Sequence, residues 1–223
     1  MSPPSPPHPP RRRLAEGLAA IAAIWALYAV TGWATLGAAG PAPWVTPLDR
    51  AFPFVPAAIW VYIPFYAASF VVAGHGLTDV RSFRAALVAL VLVSVLATPV
   101  FVLFPVVIPR PAIDPTASVS LRAVSWLYAL DAPVNTFPSL HVANSALGAL
   151  LLREVRARTA PLATTLAVGI AVSVVLLKQH WIADIAGGLF LASVGRACFV
   201  KVRAGGLDAL GRFYAPARAF IEP

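Results

Sequence analysis

Charge is scarce in this chain. Of its 223 residues only 12% are Asp, Glu, Lys or Arg, and the acidic residues number 9. Soluble domains carry about 25% charged residues, so a water-soluble globular fold is excluded. Cysteine is nearly absent as well. Cys198 stands alone, which rules out an intrachain disulfide and any cysteine cluster for zinc. No H-E-x-x-H run occurs, and no internal repeat is evident.

What remains is apolar. Hydrophobic residues make up 59% of the chain, and the mean hydropathy is +0.79. Several runs stay apolar for about 20 residues, enough to cross a hydrocarbon core of roughly 30 Å. Six crossings are predicted near 14–36, 55–74, 85–108, 139–155, 160–179 and 181–200. Lipid offers backbone groups no partner, so these runs must be helices. The expected fold is all-α, a polytopic bundle of six transmembrane helices. Pro99, Pro105 and Pro109 are expected to kink or end the third helix. The Pro-rich and Arg-rich start, 1–13, reads as a disordered cytoplasmic segment, and 201–223 as a cytoplasmic tail. The run after Arg11, Arg12 and Arg13 is too long for a cleaved signal sequence and is read as a retained helix.

The net charge of +8 points to orientation rather than to nucleic acid. With the N-terminus in the cytoplasm, the inner segments hold Arg11 to Arg13, Arg81, Arg84, Arg153, Arg156, Arg158 and the basic tail. The outer segments hold only Arg50, Arg110, Arg122 and Lys178. That bias follows the positive-inside rule, and an even count of crossings puts both termini in the cytoplasm. Richness in Ala, Arg and Pro fits a bacterial source and hence an inner membrane.

This topology gathers the ionisable groups at the outer ends of the helices. In KQHWIAD, His180 and Asp184 are four positions apart and share one helical face. There the carboxylate can fix one imidazole nitrogen and leave the other free as a base or nucleophile. In NTFPSLHVANS, Pro138 suits a first helical turn, Ser139 a cap, and His141 can reach an anion held at that helix start. Arg110 and Lys178 add fixed positive charge. Each cluster also has a plain structural reading: a His–Asp bond, a Ser cap with an interfacial His, and cations snorkelling to the interface. Taken together they are an inventory for cleaving a phosphate ester without a metal or other cofactor. Zinc on two histidines and an aspartate is disfavoured by the flanking cations.

These residues carry a family resemblance. Arg110-Pro111, then Phe137-Pro138-Ser139-Leu140-His141, then His180-x-x-x-Asp184 resembles the three-part signature of the type 2 phosphatidic acid phosphatase superfamily. The stretch TPLDRAFPFVPAAIWVYIPFY, residues 46–66, and Leu140 in place of a glycine are similar to the branch near inositol phosphorylceramide synthases. The resemblance implies that His180 attacks phosphorus, Asp184 orients it, His141 protonates the leaving oxygen, and Ser139 and Arg110 hold phosphate oxygens. Two positions depart from the family pattern. A first-motif lysine would fall at Leu103, and a third-motif arginine is replaced by Val174 beside the matching Ser173. Lys178 is read as restoring that charge.

The expected function is that of a membrane lipid phosphatase or phosphotransferase acting through a phosphohistidine, with its site facing the periplasm or exterior. Its partners would be a lipid phosphate, the surrounding membrane lipids and an alcohol acceptor such as inositol. A headgroup transferase is the alternative, and a non-catalytic transporter or scaffold a distant one. In the loop 109–138, Leu121, Val124 and Tyr128 recur at helical spacing with Trp126 nearby. That segment is read as an interfacial helix, either an aromatic anchor or a lid over the site.

Overall fold

The computed structural model describes residues 10–64, 67 and 79–205. Seven helices order it: α1 (Pro10–Thr35), α2 (Pro47–Ala51), α3 (Val80–Leu103), α4 (Val119–Leu130), α5 (Leu140–Val155), α6 (Ala160–Leu176) and α7 (Ile182–Gly205), with a further helical stretch at 59–64. Among the described residues, four helices are long and apolar enough to cross a membrane: those of α1, α3, α6 and α7. The second expected crossing, 55–74, is helical at 59–64, and most of its remainder lies outside the described residues. Of the expected terminal segments 1–13 and 201–223, residues 1–9 and 206–223 lie outside the described residues, while 10–13 and 201–205 are helical and belong to α1 and α7.

The fourth expected crossing is α5, and it differs in kind. Its 16 residues rise about 24 Å, short of a full hydrocarbon core. It packs against α3, α6 and α7, and eleven of its residues are buried. A helix surrounded by other helices need not be apolar on every face, which is why Asn144 and Ser145 are tolerated here. The long helices show the opposite pattern. Leu18 and Trp33 on α1, Leu103 on α3, Val168 on α6 and Phe190 on α7 are all exposed, as lipid-facing positions must be.

Small residues set the helix contacts. Ala85, Ala89, Val93 and Ala97 recur every fourth position on α3 and are fully buried. They pack in one cluster with Leu147 of α5 and with Ala192 and Phe199 of α7. Gly195 belongs to this contact, since a Cβ there would lie 2.9 Å from Val93 and 3.0 Å from Leu147. Such small residues let apolar helices approach closely where lipid gives no hydrophobic drive. Cys198 packs at the edge of the same cluster.

The third helix ends just before the second of its expected prolines. Pro99 lies inside α3, which continues to Leu103 and is capped by Phe104 before Pro105. Beyond it, a short parallel pair joins Gly40 to Val106 and Pro41 to Val107. The bonds Gly40 N–H to Pro105 O and Ile108 N–H to Pro133 O join three loops, and Val55 N–H to Leu176 O ties a fourth to the end of α6. They gather at the end of the bundle where α5 and α7 begin. At the opposite end, Arg84 pairs with Glu16 at 2.9 Å, and Arg196 pairs with Glu154.

Candidate active site

The site is built on the turn between α6 and α7. Lys178 takes a left-handed backbone, φ 51°, and ends α6 in the manner of a C-terminal cap. The N–H groups of Gln179 and His180 then both point to the carbonyl of Val174, at 2.8 and 3.2 Å. His180 therefore precedes the helix rather than riding on it. Asp184 reaches back from the first turn of α7. Its Oδ2 accepts from Trp181 N–H at 2.9 Å and lies 3.3 Å from His180 Nδ1, while Oδ1 accepts from Trp44 Nε1 at 3.2 Å. The pairing anticipated from the four-residue spacing is present. Its geometry is that of a helix-start acid, which favours both the N-terminal dipole and the ring. Asp184 is fully buried, and His180 is only 3% exposed.

The α5 start docks beside it. Ser139 is the N-cap, and its hydroxyl accepts from Val142 N–H. Pro138 stands one residue outside the cap, not in the first turn as the sequence suggested, because Ser139 takes the capping position with extended dihedrals. The Ser139 N–H donates to the Asp184 carbonyl at 3.0 Å. This contact needs glycine: a Cβ at Gly188 would lie 2.6 Å from the Ser139 carbonyl oxygen, and one at Gly187 2.8 Å from the Phe137 ring. The docking brings His141 Nδ1 to 3.2 Å from His180 Nε2. On its far side, His141 Nε2 meets the Tyr62 hydroxyl at 2.6 Å. Asp184, His180, His141 and Tyr62 thus form one buried line.

Arg110 reaches this line through an intermediary. One terminal nitrogen donates to the carbonyls of Tyr128, at 3.1 Å, and Asp131, at 2.6 Å. The other donates to the side-chain oxygen of Gln179. The Gln179 amide nitrogen in turn donates to Asp131 Oδ2 at 3.3 Å, and Tyr28 donates to Oδ1 at 2.8 Å. The guanidinium stacks over the Tyr128 ring, 4.3 Å from its centre. Its Nε is buried with no hydrogen-bond partner, a costly state for a cationic donor. Burial pulls the Arg110 pKa below its ordinary value, and the Asp131 carboxylate opposes that shift. Burial likewise lifts the Asp131 carboxyl, against the Tyr28 hydrogen bond and the Arg110 charge.

Lys178 is placed differently from the other candidates. Its ammonium donates to the Phe52 carbonyl at 2.6 Å, so the cation serves the α6 turn and the loop 52–58. Ser173, the match to the third motif, donates to the Ile170 carbonyl within α6. The structure therefore gathers Ser139, His141, His180 and Asp184 directly, Arg110 through Gln179, and leaves the Lys178 amino group on a backbone carbonyl. Sequence reasoning missed Tyr62, Gln179, Asp131, Trp44 and Asp49. The last of these caps α7, accepting from Ile182 N–H at 2.8 Å. Acids are rare in this chain, so Asp49, in α2, and Asp131, just after α4, could have been noticed as outliers. Nothing in the sequence pairs Trp44 or Tyr62 with the histidines.

Among curated proteins and among solved structures, none matches the chain. A family model described as the PAP2 superfamily matches residues 41–198, a span that runs from the first loop strand to Cys198 and takes in every residue of the buried line. The chain belongs to the PAP2 superfamily, the type 2 phosphatidic acid phosphatases and their relatives.

Proposed function

We propose that this protein is an integral membrane phosphatase or phosphotransferase that cleaves a lipid phosphate ester through a phosphohistidine on His180. The observation that carries the reading is the buried line from Asp184 through His180 to His141. A carboxylate on Nδ1 leaves the lone pair on His180 Nε2, the nitrogen that faces His141, and it balances the positive charge that the ring gains when phosphorylated. His141 faces that nitrogen and is placed to protonate the oxygen that departs. Ser139 and Arg110 hold the remaining phosphate oxygens, the arginine exchanging its Gln179 contact for the substrate. Lys178, whose ammonium rests on the Phe52 carbonyl, would add positive charge on releasing that contact.

The wider reading has six crossings, both termini in the cytoplasm and the site facing outward. It is supported by the basic bias of the loops and by the gathering of site residues at one end of the bundle. Leu140 keeps the transferase branch in view, with an alcohol such as inositol replacing water. Purified protein assayed on a panel of lipid phosphates, with and without inositol, separates the two acceptors. Phosphate release that is unaffected by inositol indicates a phosphatase, and headgroup-bearing lipid indicates a transferase. His180→Ala is expected to abolish both. No turnover of any lipid phosphate by the wild type would overturn the reading.

A further inference from the structure

The direction of each proton along the buried line follows from its carboxylate end. An ionised Asp184 only accepts, so His180 Nδ1 carries hydrogen and, in the neutral ring, Nε2 carries the lone pair. That nitrogen faces His141 Nδ1 at 3.2 Å, so Nδ1 carries the His141 hydrogen. His141 Nε2 is then an acceptor, and the Tyr62 hydroxyl, 2.6 Å away, donates to it. The two histidines therefore differ in partner. His180 is backed by a carboxylate, which stabilises a charged ring. His141 is backed by a phenol, which can yield a proton. Tyr62 is 6% exposed and packs with Ile59, Val142 and Val174, so its hydroxyl is held rather than free to swing into bulk water.

We propose that Tyr62 is a positioning residue and proton reservoir for His141, refilling His141 Nε2 as Nδ1 gives its proton to the leaving oxygen. The inference rests on the phosphohistidine reading. In the first step the His180 Nε2–P bond forms and the P–O ester bond breaks. The Nδ1 proton of His141 passes to the departing alkoxide, and the Tyr62 proton passes to His141 Nε2, leaving a phenolate. In the second step water attacks phosphorus and the P–N bond breaks. One water proton goes to His141 Nδ1, and the Nε2 proton returns to Tyr62. Protons and charge balance over the cycle with no further co-reactant. The relay explains how a neutral imidazole can act as an acid without becoming an anion.

Tyr62→Phe keeps the ring and removes the reservoir. Two substrates read the result in detergent: a short-chain phosphatidic acid, whose alkoxide leaves poorly, and p-nitrophenyl phosphate, whose phenolate needs little help. The expected loss of kcat is about 100-fold on the first, the lower end of the usual range for a lost proton transfer, and under about threefold on the second. A proton inventory in mixed light and heavy water should be curved for the wild type on the alkyl ester and straight for Tyr62→Phe. Equal losses on both substrates, or no loss on either, would overturn the proposal. If Tyr62→Phe does not fold, 3-fluorotyrosine placed at 62 keeps the hydroxyl and makes it a stronger acid. It should weaken the dependence on leaving group, and an unchanged dependence overturns the relay. Labelling of His180 by p-nitrophenyl phosphate in the wild type keeps the two questions apart. Label on His180 with an unchanged leaving-group dependence sinks Tyr62 alone, whereas label elsewhere sinks the reading beneath it.

Discussion

Asp184 illustrates how one buried side chain serves both fold and chemistry. Three donors converge on its two oxygens: Trp181 N–H, Trp44 Nε1 and His180 Nδ1. Asp184→Asn keeps the size but cannot accept at both oxygens, and it misaligns the ring. Its kcat for phosphate release should fall by about two to four orders of magnitude, as expected when an acid–base group is disabled. Gln179 is the second informative residue. It is 3% exposed and bridges Arg110 to Asp131. Gln179→Leu removes the bridge while keeping bulk, so on the proposed phosphate-holding role of Arg110 it should change KM more than kcat. A fall in kcat alone would contradict that role. The histidines, Asp184 and Arg110 stood out as candidates because ionisable groups are rare in so apolar a chain, and Ser139 because it opens an apolar helical run. Gln179 did not, although it adjoins His180, since a neutral amide carries no such signal. The side-chain direction of Lys178 was not legible either: its left-handed backbone decides where the amino group goes, and spacing cannot reveal that.

At the level of elements, the site depends on how closely α5 can approach α7. Gly188 sets that distance, with no room for a Cβ beside the Ser139 carbonyl. Gly188→Ala forces backbone to move, so it should cost about 1–3 kcal/mol and separate the two histidines. Thermal unfolding in detergent, together with phosphate release, would show both effects at once. A stable and fully active variant would mean that the docking is looser than the contact distances imply. The start of α7 has its own support in α2. Burial raises the Asp49 carboxyl, but hydrogen bonds from Ile182 N–H and from Thr46 outweigh it and hold the pKa below the ordinary value. A depressed carboxyl stabilises the fold above the unfolded pKa, near 3.9, and that support is lost as pH falls through the folded value. Asp49→Ala should therefore be less stable than the wild type by about 1–2 kcal/mol at neutral pH. The gap should close below about pH 4. Helix positions were legible from apolar runs to within a few residues. The prolines left open where α3 would stop; it runs through Pro99, where neighbouring helices can hold a helix together in lipid, and stops before Pro105. The helix at Val119–Leu130 does form where the spacing of Leu121, Val124 and Tyr128 placed it, with Val124 buried and Trp126 exposed.

The molecule as a whole separates two kinds of helix. α1, α3, α6 and α7 turn large apolar side chains outward, and α5 is enclosed among its neighbours and presents the histidine, serine and cap. Run length alone found the lipid-facing helices easily. It could not distinguish α5 from them, because a helix buried among helices and one in lipid both read as apolar. Orientation can be read with single cysteines in a Cys198→Ser background. Ala117→Cys, in the loop near Arg110, should react with a membrane-impermeant maleimide in intact spheroplasts. Ala157→Cys, between α5 and α6, should react only after permeabilisation. The reverse pattern would place the site in the cytoplasm. The central claim, that His180 carries the phosphoryl group, is tested most directly by trapping it. Wild-type protein is mixed with a phosphate-labelled short-chain phosphatidic acid, quenched in base within one turnover, and mapped by mass spectrometry. The result expected is an acid-labile, base-stable phosphate on the His180 ring, with neither label nor turnover in His180→Ala. Turnover by His180→Ala at the wild-type rate would contradict it.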